Sequence, residues 1–249
     1  MKIVAVDFSF SQRSVAALNG GKVVEVVETD PRKTNVLAMI AQALEQVQLP
    51  RDTVECVAVG LGPGSYTGIR ASIAMAQGWQ LATGVKLLGI SSAEMIANQA
   101  QHEGLRGPVN VVIDAQRGEF YLARFELNDA RAKEIEALRI VSSEQLKESA
   151  ATDLCVGPEV HRWIANGRIV LPRAETLARI AAHRNEFVPG EKLEPIYLRE
   201  TSFVRIAGRG LKRALIPLKV VERCVYLERR HFYGYGSLNH GDKKELKVC

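Results

Sequence analysis

Two aspartates stand at the ends of short apolar runs: Asp7 closes Ile3-Val-Ala-Val6, and Asp114 closes Val109-Asn-Val-Val-Ile113. Ser9 follows the first, and Gln116-Arg117-Gly118 follows the second. Carboxylates at strand ends with hydroxyl, amide and guanidinium groups beside them can orient a phosphate or a metal–nucleotide. Two such ends facing one cleft would suit an ATP-handling protein of two lobes. Each aspartate can equally cap its own hairpin by accepting from nearby backbone N–H groups. Residue types leave both readings open. A third stretch, Gly62-Pro-Gly-Ser-Tyr-Thr-Gly68, leads into a helical pattern whose N-terminus could attract an anion. It lacks the Gly-Lys-Ser/Thr ending of a P-loop. It can also be read as a tight strand-to-helix turn built for close packing, with glycine where a Cβ would collide.

Other chemistries find little support. The five histidines (His102, His161, His183, His231, His240) form no HExxH or HxxxH pair. Ser65 follows Gly64, but there is no GxSxG elbow, and no histidine has a sequence reason to lie beside it. Metalloprotease and serine hydrolase are poor readings, and no metal site or catalytic residue is assigned. Cys56 and Cys155 lie inside apolar runs, where a free thiol behaves as a small hydrophobe. Widely spaced cysteines, an opening that runs straight into a strand, and no apolar run near the roughly 18–20 residues of a membrane span predict a cytoplasmic protein with no membrane partner.

The net charge of +5 over 249 residues is unevenly placed. Of 33 Lys/Arg and 28 Asp/Glu, eleven and four fall between Phe203 and Cys249, so residues 1–202 hold 22 and 24. Basicity therefore belongs to the tail, and the body offers no global electrostatic argument for nucleic acid. The tail interleaves aromatics (Tyr226, Phe232, Tyr233, Tyr235) with pairs of basic residues but sustains no period. It is read as poorly ordered and solvated, with RNA contact as the minority alternative.

The elements that would position these groups follow from periodicity. Residues 3–8, 15–18 and 22–28 read as strands, the last two joined by Asn19-Gly20-Gly21. Thr34–Val47 reads as a helix, residues 54–61 as a strand, and a long helix starts after Thr67. Val85–Ile90 is a strand, and Ser91 with Glu94 starts a helix to about Gln101. After a linker at Gly104–Pro108 the pattern restarts with strands at 109–114, 119–127 and 135–141. Ser142 and Gln145 cap a short helix, Leu154–Val156 is a strand, and 159–165 and 175–183 are helical candidates. Apolar strand, terminal aspartate, hairpin and then alternating α and β occur in both halves, which suggests two related lobes. The long helix buries Ile69, Ile73 and Ala76, while Ala71, Ser72, Ala74 and Gly78 keep much of its remaining surface small.

Four stretches occur together: Ile3-Val-Ala-Val-Asp7, Gly62-Pro-Gly-Ser-Tyr-Thr-Gly-Ile-Arg70, Ile113-Asp-Ala-Gln-Arg-Gly-Glu-Phe-Tyr121 and Glu194-Pro-Ile-Tyr-Leu-Arg199. Over residues 1 to about 203 the chain resembles the TsaB (YeaZ) family, the dimerisation subunits of the bacterial tRNA threonylcarbamoyladenosine machinery. The resemblance implies an α/β ASKHA fold of two RNase H-like lobes, here 1–104 and 105–202, followed by the basic tail 203–249. It implies a non-catalytic subunit that pairs with a TsaD-like catalytic subunit and a TsaE-like ATPase, or with a second copy of itself, and meets tRNA indirectly. ATP or ADP would then be held at the interface with TsaD and not tightly by this chain alone.

The pairing surface implied is Gly62, Pro63, Gly64, Ser65, Tyr66, Thr67, Gly68, Arg70, Ala71, Ala74 and Gly78, together with the 34–47 helix. Asp7, Ser9, Asp114 and Arg117 remain the candidates for a nucleotide or phosphate. After the first aspartate the family usually shows threonine and serine, whereas here Phe8 and Phe10 flank Ser9, which counts against a nucleotide there. Asp30-Pro-Arg-Lys-Thr34 stands where the family has His-Ser-Glu. The rival readings are an ASKHA-type transferase or kinase acting alone through Asp7 and Asp114, and, further off, a peptidase. The first would need a glycine-rich adenosine loop late in the second lobe, and residues 150–202 contain none.

Overall fold

Three β-branched residues among five, Ile3, Val4 and Val6, make Ile3–Asp7 (β1) a strand, and it is buried along its whole length. Arg13–Asn19 (β2) and Lys22–Glu28 (β3) fold back on it as antiparallel neighbours. The helix Val36–Gln46 (α1) starts where the Asn35 side chain accepts from the backbone N–H of Ala38. Cys56–Gly60 (β4) then pairs in parallel with β1. Tyr66–Thr83 (α2) leads to Lys86–Ile90 (β5), parallel to β4. The sheet order is β3-β2-β1-β4-β5. Ser92–His102 (α3) follows, with Ser91 accepting from the N–H of Glu94. The computed structural model describes residues 1–30, 32 and 35–198. The poorly ordered tail expected over 203–249 lies outside the described residues.

The second half repeats the plan. Gly107–Asp114 (β6), Glu119–Leu127 (β7) and Ala132–Ser142 (β8) are antiparallel neighbours. After Ser143–Ala150 (α4), Leu154–Gly157 (β9) pairs in parallel with β6, and Arg168–Ile169 (β10) with β9. Read from β8, the order β8-β7-β6-β9-β10 matches the first sheet strand for strand, in pairing sense as well as position. Two RNase H-like sheets in one chain make the ASKHA fold. Parallel neighbours joined through helices require both faces of a sheet to be covered. On the first sheet Val4, Val6, Val15 and Val59 pack against α1 and α2. The opposite face, with Ile3, Ala5, Ala16 and Ala58, packs against Met95 of α3 and against Ala174–Ala181 (α5). Ile96, Ala97 and Ala100 of α3 turn to the second sheet.

Three expectations are corrected. α2 begins at Tyr66, because the Ser65 hydroxyl accepts from the N–H of Gly68 at 3.3 Å and so starts the helix earlier than Thr67. The helix expected at 159–165 is only a single 3-10 turn, Val160–Arg162. Residues Gly157-Pro158 before it and Gly167 after it leave too little chain to propagate a helix. The helix expected at 175–183, assigned with the second half, packs on β1 and β2 of the first sheet. Its Leu177, Ala178 and Ala181 fill the face formed by Ile3, Ala5 and Ala16. Arg173, its N-cap, donates from Nε to Glu25 of β3 at 2.8 Å.

Candidate partner interface and the adjoining cleft

Backbone contact fixes the start of α2. A Cβ built on Gly68 would lie 1.9 Å from the Phe8 carbonyl oxygen, and one on Gly64 would lie 2.2 Å from that of Ser9. Both glycines therefore permit the turn to rest directly on the chain leaving β1. The Ser65 N–H also donates to the Ser9 carbonyl, at 2.6 Å.

From there α2 divides cleanly. Ile69, Ile73, Ala76 and Trp79 are buried against the first sheet. Thr67, Ala71, Ala74, Gly78 and Leu81 are exposed, and their spacing of four, three, four and three residues is that of a helix–helix seam. Small side chains along such a seam let another helix come close. A Cβ on Gly78 would meet nothing within 4 Å, so no contact within the described residues requires glycine there. Leu81 is 89% exposed, and on α1, which covers the same face of the sheet, Leu37 is 64% exposed beside exposed Ala38 and Ala41. Such a neighbouring apolar pair of helix faces has the character of a docking surface.

The N-terminal end of the seam carries an aromatic cluster. The guanidinium carbon of Arg70 lies 4.1 Å from the centroid of the Tyr66 ring, and its Nε donates to the Tyr197 hydroxyl at 2.9 Å. The two tyrosine rings are 6.1 Å apart. The segment bearing Tyr197 is held by the Ile196 N–H, which donates to the Leu61 carbonyl at 2.9 Å. The side chains of Gln77 and Gln80 hold Gly190 upstream of it, each at 2.7 Å.

Of the residues assigned to the pairing surface, Gly64, Tyr66, Thr67, Arg70, Ala71, Ala74 and Gly78 are exposed and Ser65 is half-buried. Gly62, Pro63 and Gly68 are buried, so they shape the turn and offer no surface. The sequence reading missed Tyr197 as a neighbour of α2, since 127 positions separate it from Arg70.

The strand-end aspartates have different surroundings. Asp7 is fully buried, and the Ser9 hydroxyl is 2.8 and 2.9 Å from its two carboxylate oxygens. Burial pushes its pKa up to about 6, against the hydrogen bonds from Ser9, which lower it. Asp114 accepts from the Gln116 N–H at 2.7 Å and from the Gln116 side-chain amide at 3.0 Å, so it caps its own turn.

A cleft of about 460 Å³ lies between the chain ends of the two sheets, lined on one side by Ser9, Ser11, Arg13, Gly64 and Ser65 and on the other by Asp114, Gln116, Tyr121 and Glu159. Ser9 and Asp114 thus share one cleft, whereas Asp7 and Arg117 are not among its lining residues. Arg13, which does line it, was not singled out from sequence, because a lone arginine opening a strand carries no motif. Among the described residues no three His, Cys, Asp or Glu side chains converge as a metal cluster, and no helix is long and apolar enough to cross a membrane.

The family model for TsaD, tRNA N6-adenosine threonylcarbamoyltransferase, matches residues 4–199. The tRNA threonylcarbamoyladenosine biosynthesis protein TsaB of Escherichia coli is 29% identical over 219 residues, covering 80% of this chain and 95% of its own. Its Haemophilus influenzae counterpart is 26% identical, covering 84% and 98%. The solved structure of YeaZ from Pseudomonas aeruginosa superposes with a TM-score of 0.70 at 26% identity, over 79% of this chain and 99% of that one. The chain belongs to the tRNA N6-adenosine threonylcarbamoyltransferase family and, within it, to the TsaB proteins of tRNA threonylcarbamoyladenosine biosynthesis.

Proposed function

We propose that this chain is a non-catalytic subunit that grips a TsaD-like catalytic subunit through the outward faces of α2 and α1. The observation that carries the reading is the seam Thr67-Ala71-Ala74-Gly78-Leu81, exposed and small along most of its length. Burying Leu81 alone would contribute about 2 kcal/mol. The same face can pair with a second copy when the catalytic subunit is absent. A TsaE-like ATPase, and ATP or ADP at the joint with the catalytic subunit, complete the assembly, with tRNA held mainly by the partner. The rival, a self-sufficient ATP-dependent transferase, would need Asp7 free to meet its substrate. Against it stand the burial of Asp7 and its engagement by Ser9.

Co-expression with the TsaD-like protein of the same organism, followed by size-exclusion chromatography, tests this. The two should co-elute, and Ala74→Arg should separate them while leaving the melting temperature of the isolated chain unchanged, because Ala74 is exposed. Co-elution that survives Ala74→Arg would defeat the proposal. ATP turnover by the isolated chain would defeat the non-catalytic part.

A further inference from the structure

Glu45 is the only charged residue of α1, and Arg70 the only one of α2. Both are exposed, and among the described residues neither forms an ion pair. Arg70 falls on the seam, between Thr67 and Ala74, and Glu45 continues the exposed line of Ala38 and Ala41. Each stands towards the end of its helix that its charge disfavours. A helix N-terminus repels cations and a C-terminus repels anions, yet Arg70 opens the second turn of α2 and Glu45 lies in the last turn of α1. Arg70 is also held in place. The Tyr66 ring stacks on its guanidinium and the Tyr197 hydroxyl accepts from its Nε, which leaves the outer donors of the fork without a partner among the described residues.

The strands β3, β4 and β5 all run in the same direction as β1. A helix that joins two such strands of one sheet runs back against them, so α1 and α2 point the same way on the face they cover. Arg70 therefore marks one end of this two-helix surface and Glu45 the other. We propose that the surface pairs with a second copy of this chain turned end for end, Arg70 of each copy meeting Glu45 of the other. The inference rests on the partner reading above and adds an orientation to it. In that arrangement the C-terminal end of the second copy's α1, with its Glu45, comes beside the N-terminal end of α2. Arg70 then lies by helix C-termini, where a cation is favoured, and Glu45 by helix N-termini, where an anion is. Each charge thus gains from the other copy what its own helix withholds. A copy laid in the same direction would leave the two charges at opposite ends, with apolar Val36 and Leu37 as the α1 residues nearest Arg70. Two-fold pairing makes the Arg70–Glu45 contact twice.

Analytical ultracentrifugation of the full chain over a dilution series tests the arrangement. The unaltered chain should dimerise, and Arg70→Glu and Glu45→Arg should each weaken the dimer by about tenfold or more, since either reversal sets two like-charged pairs face to face. A fluorescently labelled Arg70→Glu chain should dimerise again when the Glu45→Arg chain is added, because both contacts of the mixed dimer are then of opposite charge. Glu148→Arg alters an exposed acid of α4 and changes the total charge equally, but it should not draw the labelled chain into dimers. A monomer at every dilution, single variants that dimerise as before, a mixture that stays monomeric, or equal capture by Glu148→Arg each overturns the proposal. None of these results bears on pairing with the catalytic subunit, which co-elution and Ala74→Arg decide. A measurement on the unaltered chain covers a variant that fails to fold. Its dimer should loosen as ionic strength rises, and a dimer indifferent to salt overturns the proposal.

Discussion

The Nε of Arg70 donates to the Tyr197 hydroxyl at 2.9 Å, joining the first turns of α2 to a segment 127 positions further along the chain. The same arginine stacks on Tyr66, so three side chains close one end of the exposed seam. Tyr197→Phe keeps the ring and deletes the acceptor. The backbone bond from Ile196 to Leu61 remains as the neighbouring tie. The Ile196 amide should then exchange with solvent faster, while the melting temperature of the sheets stays where it was. Hydrogen exchange followed by mass spectrometry checks this, and equal protection in both proteins would show that the Arg70–Tyr197 bond holds nothing.

Gly68 and Gly78 lie on one helix and should respond in opposite directions. A methyl at 68 would stand 1.9 Å from the Phe8 carbonyl oxygen, so Gly68→Ala must push α2 away from β1. A loss of about 3 kcal/mol is expected, in the range of overpacked sites. At 78 a methyl meets nothing within 4 Å. Gly78→Ala should therefore stabilise the isolated chain by about 1 kcal/mol, the helix-interior difference between the two residues. If another helix seats against position 78, the same substitution should weaken co-elution with the catalytic partner. Urea unfolding of both variants gives the first two signs, and a destabilised Gly78→Ala would show that the position is not open.

Local chemistry was legible in the chain. Ser142 and Gln145 form the reciprocal capping box their spacing indicates, and the strands flanking Asn19-Gly20-Gly21 pair in register. The repeated order of strands and helices also came through, since it rests on periodicity in each half. What depends on distant surfaces did not. Nothing in Ala174–Ala181 says which sheet its apolar side will meet, because Ile3 and Ala16 accept it as readily in composition as the second sheet would. Asp7 and Asp114 read alike as strand-ending acids, yet Asp7 is sealed with Ser9 while Asp114 caps a turn at the cleft. Burial separates them, and burial is set by what packs on top.

Cys56 and Cys155 are free and buried, and burial pushes their thiols up to about 12 and about 11. The thiolate is the reactive form, so both should resist alkylation in the folded chain at neutral pH. Iodoacetamide labelling with peptide mapping should find Cys56 and Cys155 unmodified without denaturant and fully modified in guanidinium. Ready labelling of Cys155 in the native chain would show that β9 opens far more easily than its pairing with β6 implies.

Asp7 gives the fold a pH dependence of definite sign. Its carboxyl is raised from 3.8 to about 6, mainly by desolvation, with Glu25 adding repulsion and Ser9 opposing. Below the unfolded value the group is protonated in both states and carries no differential. Between about 4 and 6 the folded state holds the proton that the unfolded state has released, so stability falls as pH rises through this window and then levels off. A shift of this size corresponds to about 3 kcal/mol. Asp7→Asn keeps the shape and a partner for Ser9 but cannot ionise. Measured by urea unfolding, the stability of the unaltered chain relative to the Asp7→Asn variant should fall by about that amount between pH 4 and 7. Parallel curves for the two proteins would mean that Asp7 carries its charge inside the fold without penalty, through compensation that Ser9 alone does not supply.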